Sequence, residues 1–298
     1  MVSVVIASVN EAQLLAVKEN IKQTIGVEYE ILSFANADGK MGLCEIYNLG
    51  AKQAKYNMLC YMHEDIEIKT SRWGEKMLDL FTREPKIGVA GVAGCAYKSF
   101  TPSGWGAESF EVNLVFQNYM QHFKHAAKPS IHAYSNPNNS SFEKVVTVDG
   151  MWFCTTKEVV NRIGFDADTF KGFHCYDLDF CLNAGQFYDV VVTFEVLMEH
   201  FSEGGYNRDW FLETLKLHQK WEHILPRMLG ELSGKNIQLI EKRAFKRLLS
   251  KLVELKFDKQ YILTLLLQYK EKTNMETSLY LKLRYYLFGF LYLGKKVK

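Results

Sequence analysis

Carboxylates and imidazoles gather at four places along the 298 residues. His63-Glu64-Asp65 follows an apolar run, so its side chains could hold a hard divalent cation of the kind that clamps nucleotide phosphates. An acidic turn that merely faces water has the same composition. Asn36 with Asp38-Gly39 makes a second polar turn, open to the same two readings. Tyr176-Asp177-Leu178-Asp179 opens a helical pattern, where an aspartate can cap the helix and complement its dipole. The flanking Gly164-Phe165-Asp166, Phe170-Lys171-Gly172-Phe173 and Ala184-Gly185 give it a more specific context than a cap needs. His200 closes a strand pattern. A lone histidine is usually structural, but one at a strand end could complete a metal site.

The elements around these clusters decide whether they can meet. Val2–Ser8, Tyr29–Ala35, residues 57–62 and Ile87–Gly91 read as strands, alternating with helical patterns at Glu11–Thr24, residues 43–55 and Trp73–Arg83. That alternation predicts an α/β protein, a Rossmann-like, mostly parallel sheet flanked by helices. Such sheets bind ligands beyond the carboxyl ends of their strands, which places residues 8–11, 36–39 and 63–65 at the crevice. Residues 92–144 read as long surface loops, with Gly, Ser, Pro and Asn clusters at 101–106 and 135–141. Strand character returns at 145–148 and 190–200, and Lys157–Ile163, Tyr176–Ala184 and residues 208–221 read as helices. Pro226 and Gly230 mark a boundary.

Composition narrows what such a site can serve. With 48% hydrophobic and 23% charged residues and only five prolines, the chain is neither disordered nor collagen-like. A net charge of +2 speaks against a dedicated nucleic-acid binder, so no nucleic-acid partner is expected. The charge is uneven, however. Residues 1–230 carry 21 basic and 28 acidic side chains, a balance of −7, while residues 231–298 carry 15 and 6, a balance of +9. Two units with different surroundings are expected, residues 1–228 and 229–298. Six scattered cysteines without a CxxC pair suggest reduced, buried thiols and a cytoplasmic location. No signal-peptide pattern is present, and the apolar run at 285–293 is too short to span a bilayer.

In order along the chain, these landmarks resemble the nucleotide-sugar-dependent glycosyltransferases of GT-A fold, particularly the inverting family 2. Ser3-Val4-Val5-Ile6-Ala7-Ser8 with Asn10-Glu11 is similar to the family's opening strand, which implies that Ser8, Asn10 and Glu11 contact the nucleotide base. Asp38 matches the position that holds uracil, and Asn48-Leu49-Gly50-Ala51 looks like the N-x-G-x helix segment. His63-Glu64-Asp65 stands in the place of the metal-binding D-x-D, and His200 in that of a late histidine ligand, which implies Mn²⁺ or Mg²⁺ held by Asp65, Glu64, His63 and His200. Val148-Asp149-Gly150 resembles the segment lining donor and acceptor sites, with Trp152 close behind. Tyr176-Asp177-Leu178-Asp179 falls where the family has E-D-x-D, which implies Asp177 as the base and Asp179 as a substrate contact. The resemblance spans about residues 1–225. It implies a GT-A domain carrying a C-terminal helical extension, and transfer of one sugar from a UDP-sugar to a hydroxyl of a surface glycan or lipid-linked saccharide, with inversion. His63 departs from the first Asp of D-x-D, and Tyr176 from the Glu before the base. The Q-x-x-R-W of processive synthases is absent, the comparable stretch being His218-Gln219-Lys220-Trp221. An inactive sugar-nucleotide-binding module and a metal-dependent nucleotidyltransferase remain alternatives; GxGxxG and GxxxxGK[ST] are absent. Trp105, Trp152 and Phe153 are candidates for stacking on sugar rings or for aromatic core.

Beyond Gly230 the pattern changes to basic amphipathic helices. Ile240, Ala244, Phe245, Leu248, Leu249 and Leu252 make an apolar stripe opposite Lys242, Arg243, Lys246, Arg247 and Lys251. The stripe packs on the body or on a second copy as a homo-oligomer, or else the segment lies on the inner face of an anionic membrane. For the last reading, residues 280–288 mix aromatic, aliphatic and basic side chains as interfacial helices do.

Overall fold

The β-branched run Val2–Ser8 is buried on both faces, with Val2, Val4, Val5 and Ile6 at 0% exposure, so it needs apolar cover on each side. A computed structural model, which describes residues 1–110, 112–123, 128–273 and 275–293, shows how that cover is built. Val2–Ser8 lies inside a seven-stranded sheet ordered Phe142–Lys144, Asp189–Thr193, Ile87–Gly91, Trp152–Thr156, Met58–Met62, Val2–Ser8, Tyr29–Ala35. Trp152–Thr156 and Phe142–Lys144 run against the other strands, and the rest share one direction. The sheet is thus mostly parallel in sense.

Strand alternation divides the core in two. Val4, Ile6, Cys60 and Met62 face the helices Glu11–Thr24 and Trp73–Arg83, packing on Val17, Ile21, Trp73, Met77 and Leu80. Val5, Leu59 and Tyr61 face the other way, against Ile46 and Tyr47 of Leu43–Gln53, Val159 of Lys157–Ile163 and Phe180 of Tyr176–Ala184. All six cysteines are buried and free.

Residues 92–144 depart from the loops expected of them. They contribute Ala93–Cys95, Val115–Gln121 and Ile131–Ser135 to a second sheet, which Thr147–Val148, Met198–His200 and Ile66–Ile68 complete. Polar residues and short, half-exposed strands weaken the sequence signal here, because pairing between distant segments supplies what local pattern lacks. This sheet holds Met198–His200 antiparallel to Ile66–Ile68, with His200 opposite Ile66.

The C-terminal segment forms three helices, Gly234–Glu254, Lys259–Lys272 and Thr277–Tyr292. Phe245, Leu248, Leu249 and Leu252 meet Ile262, Leu266, Leu283 and Leu287, and Phe211 from the helix Arg208–Lys220 joins them. Ile240 enters the core of the body itself. The Glu241 carboxylate accepts hydrogen bonds from Tyr97, Ser99, Thr101 and the backbone N–H of Phe100. The two charge-segregated parts therefore share apolar packing and a hydrogen-bonded anchor. Among the described residues no helix is long and apolar enough to cross a membrane.

Candidate active site

His63-Glu64-Asp65 emerges from the carboxyl end of Met58–Met62, next to the end of Val2–Ser8. Of its three side chains, Glu64 turns away from the other two. Glu64, 7% exposed, accepts from Ser8 Oγ at 2.6 Å, Asn10 N at 2.9 Å and Val9 N at 3.0 Å. Those bonds spend its carboxylate on the turn after the first strand, so Glu64 does not join the ligand cluster expected of it. It shapes the segment expected to receive the nucleotide instead.

His63, Asp65 and His200 do converge, with one ligand atom from each lying within 4.8 Å of the others. Asp65 Oδ1 is 3.8 Å from both His63 Nδ1 and His200 Nε2. Two imidazoles and one carboxylate fit a divalent ion. The set is richer in nitrogen than the all-oxygen surroundings Mg²⁺ prefers.

Asp177 stands at the start of Tyr176–Ala184, just after Cys175 in a left-handed conformation (φ 65°). Its Oδ2 accepts from the Gly150 N–H at 2.9 Å. Burial, helped by the charge on Asp149, pushes the Asp177 carboxyl up to about 7. A carboxylate held there is tuned to exchange a proton near neutrality. The other backbone group of Gly150 reaches the ligand cluster: its carbonyl accepts from Tyr176 OH at 3.0 Å, and that hydroxyl lies 2.9 Å from His63 Nε2. A side chain at Gly150 would overlap the Tyr176 hydroxyl, so close approach requires glycine.

The other expected contacts have varied fates. Asp149 remains beside Asp177, its Oδ1 accepting from Met151 N at 2.8 Å. Asp38 sits on an exposed turn paired with Lys40 at 2.7 Å, and Asn36 holds that turn through Met41. Asn10 caps the first helix through the N–H groups of Ala12 and Gln13, with Glu11 exposed in its first turn. Asn48 bridges both backbone groups of Phe165 and so clamps that loop. Asp179 is a correction: at 2% exposure it accepts from Trp221 Nε1 at 2.7 Å and pairs with Lys220 at 2.8 Å, so it faces the core. The stretch His218-Gln219-Lys220-Trp221 thus has a structural task. Trp152 is another correction, at 0% exposure and packed edge-on to Trp73. Phe153 is equally buried. Sequence reasoning overlooked Phe173, an exposed ring 5.7 Å from the His63 ring, and Gln121, 3.3 Å from His200 Nδ1. The exposed Phe173 had the only usable signal, its place just before the Tyr176 cluster.

Solved structures share this architecture at low identity. S. aureus TarS 1–349 matches with a TM-score of 0.51 at 10% identity, over 100% of this chain and 93% of that one. GalNAc-T7, solved with UDP, GalNAc and Mn²⁺, gives 0.46 at 12% over 67% of this chain, and 44% of the GalNAc-T7 chain is covered. A197 from STIV gives 0.39 at 14%, over 68% and 86%. No curated protein matches in sequence. The Glycosyltransferase like family matches residues 1–202, a span that contains the whole seven-stranded sheet, Asp177 and the His63, Asp65, His200 cluster, and the chain belongs to that family.

Proposed function

We propose that the protein moves a single sugar from a nucleotide-sugar donor, a UDP-sugar, to a hydroxyl of a glycan or lipid-linked saccharide, with inversion at the anomeric carbon. One observation carries this reading: a carboxylate tuned near neutrality, Asp177, is linked through the backbone of Gly150 to a cluster able to hold a divalent ion. In the reaction the acceptor oxygen attacks the anomeric carbon as the bond to the diphosphate breaks. Asp177 takes the acceptor's proton, and the Gly150 N–H orients the carboxylate for it. A single displacement of this kind inverts configuration, as in glycoside hydrolysis. His63, Asp65 and His200 would hold Mn²⁺, which when bound would supply positive charge against the departing diphosphate. Ser8, Asn10 and Asp38 border the donor's base, and Glu64 holds the first two in place.

We extend the reading to the tail. Leu281, Tyr285, Phe288 and Tyr292 form one exposed face of the last helix, spaced four, three and four residues apart, in a segment of +9 charge. That combination suits peripheral contact with an anionic lipid surface, where a lipid-linked acceptor resides, at the cytoplasmic side. The same positive charge disfavours pairing two tails as a homo-oligomer.

The catalytic reading is tested with UDP- and GDP-sugars in Mn²⁺ without acceptor. Slow hydrolysis of one donor, lost in Asp65→Ala, is the expected result. Release of pyrophosphate from a nucleoside triphosphate instead would assign the site to nucleotidyl transfer.

A further inference from the structure

The departures at positions 63 and 176 touch each other, and hydrogen-bond directions give the contact a meaning. Tyr176 has one hydroxyl proton. The Gly150 carbonyl, 3.0 Å away, can only accept, so it takes that proton. The hydroxyl also has the Tyr47 side chain as a hydrogen-bond partner, and with its single proton given to a neighbour other than His63 the contact at 2.9 Å runs the other way, with His63 Nε2–H donating to the Tyr176 oxygen. A neutral imidazole carries one N–H. His63 Nδ1 is therefore left with its lone pair, and that nitrogen faces Asp65 Oδ1.

His200 is oriented by the same logic from the other side. Gln121 donates its Nε2–H groups to the carbonyls of His122 and Ser202, at 2.6 and 2.8 Å, which fixes its Oε1 as the acceptor turned toward His200 Nδ1 at 3.3 Å. Nδ1 then carries the proton, and Nε2 presents its lone pair to Ser202 Oγ at 3.3 Å and toward Asp65 Oδ1. Two imidazole lone pairs and a carboxylate oxygen thus point into one small space, an arrangement that a cation between them stabilises.

We propose that Tyr176 is a positioning residue whose hydroxyl fixes the His63 tautomer, making an imidazole nitrogen the first donor of the ion site, with Gln121 doing the same for His200. The inference rests on the reading that a divalent ion serves the transfer. His63 and Tyr176 form a matched pair: a carboxylate at 63 needs no tautomer, and an imidazole at 63 without a fixed acceptor at Nε2 can present the wrong nitrogen. Outer partners of this kind typically contribute 10- to 100-fold to metal affinity. The nitrogen donors also favour Mn²⁺ over Mg²⁺.

The test measures Mn²⁺ binding to the full chain by the paramagnetic signal of free Mn²⁺, with Mg²⁺ as competitor. Tyr176→Phe keeps the ring, which packs edge-on to Tyr47 at 5.3 Å, and should bind Mn²⁺ about 10- to 100-fold more weakly. His63→Asp should let Mg²⁺ compete better, and adding Tyr176→Phe to it should change nothing further. Long-range proton–nitrogen spectra of the metal-free chain should show His63 protonated at Nε2, and a changed tautomer balance in Tyr176→Phe. Unchanged Mn²⁺ affinity in Tyr176→Phe, or an equal loss in the His63→Asp background, overturns the pairing. Asp65→Ala separates the two levels. If it weakens Mn²⁺ binding while Tyr176→Phe does not, only the role of Tyr176 fails; if neither does, the ion site itself is elsewhere.

Discussion

Replacing Asp177 with Asn separates the energetic cost of the proposed base from its chemical work. Asp177 is raised from an ordinary 3.8 to about 7, mainly because the folded chain strips water from the carboxylate. At about 1.36 kcal/mol per unit, holding that charge costs the fold up to about 4 kcal/mol. The sign follows from proton counts: between about pH 4 and 7 the native carboxyl keeps a proton that the unfolded chain has released, so stability falls as pH rises across that window. Asparagine carries no ionisable group, and its carbonyl can still accept from the Gly150 N–H. Urea unfolding in a chelator should therefore find Asp177→Asn close to the parent near pH 4 and about 2–4 kcal/mol more stable near pH 8. Transfer should meanwhile fall by about a hundred- to ten-thousand-fold with nucleotide-sugar affinity retained. A variant no more stable at the higher pH than at the lower, relative to the parent, would show that the carboxylate is not desolvated. Near-normal turnover would remove Asp177 as the base.

Two further outcomes follow from other contacts. Lys220→Met leaves Asp179 buried without its cation, with Trp221 as a remaining donor, and should cost about 3–5 kcal/mol in chemical denaturation; a loss below about 1 kcal/mol would show that the pair is not needed to hold that charge. In the tail, Tyr285→Glu with Phe288→Glu changes only exposed positions, so folding should survive while flotation with anionic vesicles is lost; equal flotation of variant and parent would refute the membrane contact. Removing the tail would be a poorer test, because Phe211 and the loop held by Glu241 would lose their cover.

Much of the body was legible in local pattern. The bounds of Val2–Ser8, Glu11–Thr24, Tyr29–Ala35, Trp73–Arg83, Lys157–Ile163 and Tyr176–Ala184 coincide with those expected from periodicity. Each carries its signal locally, as an apolar run bounded by polar residues or as apolar residues at helical spacing. Residues 92–144 were not legible because their strands are stabilised by partners far along the chain. Exposed and buried roles were equally hidden where composition is ambiguous. Trp152 and Phe173 are both aromatic residues near the proposed site, but one fills the core against Trp73 while the other stands in solvent beside His63.

By itself the sequence determined which residues could do chemistry, and that strand ends would collect them, since residue type and periodicity are local properties. It determined the charge division at Pro226–Gly230 as well. Only the tertiary structure decided how the side chains are used, because hydrogen bonds run between segments that the chain order keeps apart. Glu64 is spent on Ser8–Asn10, Asp179 on Lys220 and Trp221, and Tyr176 on His63 across 113 positions. A carboxylate has the same composition whether it binds an ion, clamps a turn or neutralises a lysine. Its neighbours in space assign the role, through the water they remove and the protons they offer.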